Sequence, residues 1–427
     1  MSMDVQTPGL LQGRWYRWRL DNGLTLLVVD NPAADIVAAR LFLRPGMLAE
    51  PPHQWGLNHL LAATLTKGTE RRSAQDIALA VESLGASLGT EAAPDYFMLG
   101  LKAVTSDFAE LFALAAELWR IPTFPDAEVA LEQELTLQGL RLQQEQPFSL
   151  AYDQLRRALY PNHPYSVSTL GTPETVQRLT AADLRAYHQR YFCPAHTVVS
   201  ICGRVEPERV RAWVERCFGD WSVPAVDWQP PAVPTPEQPT APLRTVRPLQ
   251  QSLVMLGYPG PSVHAADYPA MKLLSTYLGN GLSSRLFMEL REKQGLAYDV
   301  SAFYPTRWQP APFGVYLGTA AANTSLALVK LAAEMQRLLA EPLPEAELLT
   351  ARSKLLGQYA LGKQTNAQIA QLLGWYEVLG LGADYDWMFP QLIRQVTPEQ
   401  LWRAAQRYLR HPWVSLVGPA AALADIC

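Results

Sequence analysis

The chain repeats itself at half its length. The segment LTAADLRAYHQRYFCPAHTVVSICG, starting at Leu179, returns as VTPEQLWRAAQRYLRHPWVSLVG from Val396. Thr180, Leu184 and Tyr191 correspond to Thr397, Leu401 and Tyr408 at one offset of 217 residues. Each copy opens on a threonine, whose hydroxyl can accept from the unpaired N–H groups of a first helical turn. Each then runs at amphipathic helix spacing into an apolar strand ending at Gly203 or Gly418. Two halves of one ancestry and one fold are expected, and 427 residues are too many for one ordinary core.

Prolines mark the join. The stretch SVPAVDWQPPAVPTPEQPTAP cannot donate ladder hydrogen bonds regularly and favours extended backbone. The expected organisation is a domain over 1–222, a linker over 223–243 and a second domain over 244–427. In the first half, 15–20 and 24–29 flank Asp21-Asn22-Gly23, a favoured hairpin turn. Further strands are predicted over 35–43 and 91–104, with helices over 56–65, 74–84, 108–118 and 128–143. The second half predicts strands over 253–257 and 298–304, helices over 265–277 and 284–293, and long helices from 325 onward. Hairpin turns joining several strands point to an α+β class, each domain a mixed or largely antiparallel sheet with helices packed on one face.

Composition excludes several classes of function. A net charge of −4 leaves no basic footprint for nucleic acid. No run approaches the roughly 18 apolar residues that a membrane helix needs. Met1 to Arg19 carries no apolar leader core. Cys193, Cys202, Cys217 and Cys427 form no C-x-x-C pair, as expected of thiols in a reducing, cytoplasmic compartment.

One segment carries chemistry. Gly56-Leu57-Asn58-His59-Leu60-Leu61-Ala62-Ala63-Thr64, running on to Lys67-Gly68-Thr69, resembles the H-x-x-E-H zinc motif of the pitrilysin, insulinase and mitochondrial-processing-peptidase family. Two histidines four apart share a helix face and can bind one zinc, and the Glu between them acts as base on the zinc-bound water. Here His59 takes the first ligand position, Ala62 stands for the base and Ala63 for the second ligand. The family's third ligand ends an E-x-x-V-V-L-x-E pattern. The matching stretch runs from Glu132 to Gly139, with glycine at the ligand position. His53, His163, His188, His196, His264 and His411 show no ligand spacing that would replace it. The resemblance therefore implies an inactive member with no catalytic residues and no metal bound by this chain.

The likeness extends along the chain. Leu20 to Leu24 resembles the family's opening hairpin, and His163-Pro164-Tyr165 leading to Leu170-Gly171-Thr172 resembles its H-P-Y…G-T segment. Ser283-Ser284-Arg285-Leu286-Phe287 and Leu290-Arg291-Glu292 with Gly295-Leu296-Ala297-Tyr298 resemble its S-S-R-L-F and L-R-E-x-x-G-L-A-Y stretches. In the family an Arg and a Tyr seven residues apart hold substrate backbone beside the zinc. Arg291 and Tyr298 have that spacing, and a guanidinium and a phenol both donate to peptide carbonyls. The plainer alternative has Arg291 capping a helix and Tyr298 packing as a strand aromatic. Only Gly279 and Gly281 stand where the processing peptidase's non-catalytic subunit has a glycine-rich loop.

The resemblance implies a substrate-binding subunit paired with a homologous zinc peptidase subunit of intact H-x-x-E-H. That partner would carry the zinc, and the pair would take an extended peptide at a sheet edge. Two alternatives are a structural scaffold and a homodimer that binds peptides without cutting them.

Overall fold

The computed structural model describes residues 4–6, 15–238, 241–424 and 426. Cys427 and most of the leader region discussed above lie outside them. The chain divides into two compact units, neither continuous in sequence. The first comprises Met1–Leu140, Ser168–Pro231 and Ala360–Met388, and the second Arg141–Val167, Ala232–Tyr359 and Phe389–Cys427.

Seven strands form the sheet of the first unit: β1 (Asp4–Gln6), β2 (Trp15–Arg19), β3 (Thr25–Asp30), β4 (Ile36–Leu43), β5 (Ser87–Ala92), β6 (Phe97–Val104) and β7 (Thr197–Gly203). Their order is β1-β2-β3-β7-β4-β6-β5. All neighbours run antiparallel except β3 and β7. Leu26, Val28, Leu41 and Leu43 face a helical layer that includes Leu57–Thr64, Phe108–Arg120 and Pro207–Phe218. Leu27, Val29 and Phe42 point the other way, onto the helix Asn366–Val378 through Ile369 and Leu373. Gly374 makes that approach possible, because a Cβ there would lie 2.2 Å from the Phe42 ring. Both faces of the sheet are thus covered, and β7 is buried from end to end.

The second unit has five strands: β8 (Leu243–Val246), β9 (Gln251–Pro259), β10 (Asp299–Phe303), β11 (Pro312–Ala320) and β12 (Trp413–Gly418). They lie in the order β10-β11-β9-β12-β8, antiparallel except for β8 and β12. This is the pattern of β5-β6-β4-β7-β3, so the core topology recurs. The helix Thr324–Ala340 packs against β9 and β11, and Pro147–Leu159 packs against β9 and β12. A Cβ on Gly257 of β9 would collide with Leu155 at 2.2 Å, and Ser415 donates to the Ala151 carbonyl at 2.9 Å.

The repeat takes the same form in both units. Thr180 and Thr397 each close a capping box, with Asp183 and Gln400, on the helices Ala181–Tyr191 and Pro398–Tyr408. The compact units do not follow the contiguous spans 1–222 and 244–427. Residues 141–167 belong with the second sheet and 360–388 with the first, because each sheet buries one face under a helix encoded in the other half. The proline-rich stretch over 222–238 forms neither helix nor strand.

Candidate functional site: an erased metal helix and an exposed Arg–Tyr pair

The helix Leu57–Thr64 is held at its start by backbone contact. Gly56 has φ 98°, and Cβ atoms on Gly56 and Gly171 would lie 2.6 Å from the Leu170 oxygen and 2.2 Å from the Trp55 oxygen. The Leu170-Gly171-Thr172 segment therefore seats against the helix entry with no room for side chains, and Thr175 donates to the Trp55 carbonyl at 2.6 Å. Glu50, fully buried, fills the helix N-terminus. Its carboxyl accepts from the N–H groups of Gly56 at 2.8 Å and Asn58 at 2.6 Å, and from Asn58 Nδ2 at 2.9 Å. Burial outweighs these bonds and pushes its pKa up to about 7. No motif marked Glu50 in the sequence. The only hint is a lone carboxylate shortly before a helix start that lacks a capping side chain.

On this frame the motif positions are occupied as follows. His59 is largely shielded; burial lowers its pKa, and the charge of Glu132 acts the other way. Ala62 is 5% exposed, and its carbonyl accepts from Thr90 of β5 at 2.5 Å. Glu132 lies on the facing helix Asp126–Glu145 and pairs with Lys67 at 3.2 Å. Gly139, one helical stretch further, has space beside it: an added Cβ would touch only Leu170, at 3.6 Å. A catalytic zinc needs about three protein ligands and a water. One imidazole, two methyl groups and a glycine do not supply that set. Among the described residues no three His, Cys, Asp or Glu side chains come together to hold a metal. Other histidines are engaged in packing: His188 bonds the Trp119 carbonyl at 2.9 Å and its pKa falls to about 4 through burial, and His163 bonds Gln309 at 2.9 Å.

Arg291 and Tyr298 lie in the second unit. Arg291 rides on the turn Phe287–Glu292, which is π-helical rather than the plain α-helix expected over 284–293. Its guanidinium lies 5.0 Å from the Phe287 ring centroid and is exposed. The chain then turns at Gly295, buries Leu296 and Ala297, and presents Tyr298 at 59% exposure just before the edge strand β10. The Tyr298 N–H is fixed on the Gly318 carbonyl at 2.9 Å. Neither side chain caps a helix or fills the core.

Arg285 of the Ser-Ser-Arg segment has a different task. It bonds Glu334 at 2.8 Å and the Tyr277 hydroxyl at 2.8 Å, in a mostly buried network.

Residues 25–173 match the family model described as Insulinase (Peptidase family M16), and residues 178–355 match the one described as Peptidase M16 inactive domain. The chain belongs to the M16 peptidase family. It is 28% identical over 418 residues to an uncharacterized zinc protease of Streptomyces coelicolor, covering 94% of this chain and 89% of that one. An uncharacterized zinc protease of Bacillus subtilis is 25% identical, over 83% of this chain and 86% of its own. The crystal structure of a peptidase M16 inactive domain from Pseudomonas fluorescens superposes with a TM-score of 0.86 at 25% identity, covering 96% of this chain and 99% of that one. A protease from Helicobacter pylori shares the fold, with a TM-score of 0.85 at 20% identity and 95% and 100% coverage. With Ala62, Ala63 and Gly139 at the motif positions, this is an inactive M16-like member. No helix among its described residues is long and apolar enough to cross a membrane.

Proposed function

We propose that this chain is the non-catalytic, substrate-binding subunit of a two-chain zinc peptidase working in the cytoplasm. Its partner is a homologous M16 subunit with intact H-x-x-E-H, which carries the zinc. Arg291 and Tyr298 donate to the backbone carbonyls of an extended peptide beside that zinc. The observation that carries the reading is their pairing of exposure with fixed backbone: both side chains face outward, while the turn between them is pinned by Leu296, Ala297 and the Tyr298–Gly318 bond. An exposed guanidinium and phenol held this way cost little to reorganise around a peptide. The edge strands β5 and β10 each leave one row of N–H and C=O groups to which a peptide can add.

Mixing this chain with its zinc subunit and following a quenched fluorescent peptide tests the reading. The chain alone is expected to be inactive, alone or as a homodimer, and the mixture active. Arg291→Ala or Tyr298→Phe should cut the rate of the mixture about 10²-fold, the scale set by loss of one well-placed donor. A mixture no faster than the zinc subunit by itself would favour a scaffold.

A further inference from the structure

The second unit contains a pocket that the peptidase reading does not use. About 340 Å³ in volume, it lies under the turn 281–284, between that turn, Met288 and Glu289 on one side and Thr350 and Lys354 of the helix Glu345–Leu361 on the other. The size suits one or two residues of a small ligand. The turn is fastened to the helix by a reciprocal pair, Asn280 Nδ2 to Gln358 Oε1 at 2.6 Å and Gln358 Nε2 to Asn280 Oδ1 at 3.2 Å. Gly281, at φ 78°, keeps the turn tight over the lysine: a Cβ there would lie 3.2 Å from Lys354 Nζ.

Charge around the pocket is balanced except at one place. Glu289 pairs with Lys293 at 2.7 Å. Glu334 pairs with Arg285 at 2.8 Å and Arg337 at 3.2 Å. Glu347 accepts from the Tyr277 hydroxyl at 2.5 Å and lies 3.9 Å from Arg285. Lys354 has only the neutral Ser283 hydroxyl, at 3.4 Å, and no carboxylate partner among the described residues. Next to Ser283 in the chain, Ser284 is 3% exposed and its hydroxyl, closed to solvent, has no hydrogen-bond partner among the described residues.

We propose that this pocket is a carboxylate-binding site, in which Lys354 and the hydroxyl of Ser283 take the carboxylate of a peptide, either at its C-terminus or on an acidic side chain. One surplus positive charge matches one negative charge. The paired carboxylates of Glu289 and Glu347 on the walls disfavour a dianion such as phosphate. Met288, Ala346 and Ala351 add apolar surface for the carbon atoms that carry the carboxylate. Met288 and Arg291 share one short helical segment, so a peptide held by Arg291 has a charged end within reach of the pocket. The anion site stands on its own geometry; its assignment to a peptide rests on the substrate-binding reading.

Calorimetric titration of the full chain by itself tests this without any partner subunit. The probes are N-acetyl-L-leucine, N-acetyl-L-leucinamide, an acetylated tetrapeptide with a free C-terminus and no acidic residue, and an amidated tetrapeptide with one internal glutamate. N-acetyl-L-leucine should bind at least tenfold tighter than its amide. Lys354→Met should remove that difference while keeping the thermal midpoint, and Lys354→Arg should retain it. Whichever tetrapeptide competes with N-acetyl-L-leucine identifies the source of the carboxylate. Equal binding of acid and amide, or an unchanged preference in Lys354→Met, overturns the site. Binding of N-acetyl-L-leucine with neither tetrapeptide competing overturns the peptide assignment. A mixture with the zinc subunit that shows no gain in rate sinks the subunit reading and leaves these titrations untouched.

Discussion

The two units place corresponding helices in corresponding frames and have used them differently. In the first, Leu57–Thr64 faces Asp126–Glu145 with Ala62, Ala63 and Gly139 where a metal would require side chains, yet Glu50, Gly56 and Gly171 still fit the frame to within van der Waals contact. In the second, Tyr268–Gly279 and Glu345–Leu361 are joined by a charged network in which Arg285, Glu334, Tyr277 and Glu347 satisfy one another. A metal site depends on three or four side chains that contribute little to the apo fold, so it can vanish without disturbing the scaffold. A buried ion-pair network cannot be dismantled one residue at a time, since each removal strands a charge.

The sharpest way to break this contrast is to rebuild the first frame. The triple substitution Ala62→Glu, Ala63→His and Gly139→Glu restores the full donor set around His59. It should convert a chain with no tight zinc into one binding a single zinc, removable by a chelator and measured by atomic absorption. Gly139→Glu has room and gains helix propensity of a few tenths of a kcal/mol or more. Ala62→Glu buries a carboxylate, so the metal-free triple variant should melt lower and recover on adding zinc. A triple variant that takes up no zinc would mean the frame itself has shifted.

Next in size is the second frame. Arg285→Met leaves Glu334, nearly buried, with only the exposed Arg337, and is expected to cost about 3–5 kcal/mol in urea unfolding. The same operation in the first unit, Lys67→Met, removes a half-exposed pair with Glu132 and should cost only about 0–1 kcal/mol. Equal costs would erase the distinction between the units.

The same contrast governs what was legible in the sequence. The repeat, its capping threonines and the apolar strands declare themselves locally, and they carried the fold class. The exchange of helices between sheets did not. The amphipathic pattern of 147–159 says that one face is buried, and the apolar stretch 366–378 says only that it is buried; nothing in either says against which sheet. The apolar run Leu26 to Val29 of β3 did carry a signal that both faces of the first sheet are covered, rather than the one face expected. Within the site, His59, Ala62, Ala63 and Gly139 were readable because a motif fixes their spacing. Glu50 and Lys354 were not, since each meets its partners only through a turn whose geometry no spacing rule encodes.

The remaining effect is the most specific to the first frame. Glu50 has its folded pKa raised to about 7 from an ordinary 4.5, because burial disfavours its charged form. The folded chain therefore holds this proton where the unfolded chain has lost it. The contribution of Glu50 is fully present below pH 4.5 and is lost as pH rises through about 7. The shift corresponds to roughly 3 kcal/mol over that window, before other groups are counted. Glu50→Gln cannot titrate, so the slope of unfolding free energy between pH 4.5 and 7 should flatten by about that amount, while its amide opposes the Gly56 N–H and costs roughly 1–3 kcal/mol at low pH. Urea unfolding of both chains at several pH values reads both terms. Parallel slopes in the two would show that Glu50 keeps its ordinary carboxylate pKa on folding and is ionised in the folded chain near neutral pH. The first frame would then be closed by a charged cap, as firmly electrostatic as the network in the second.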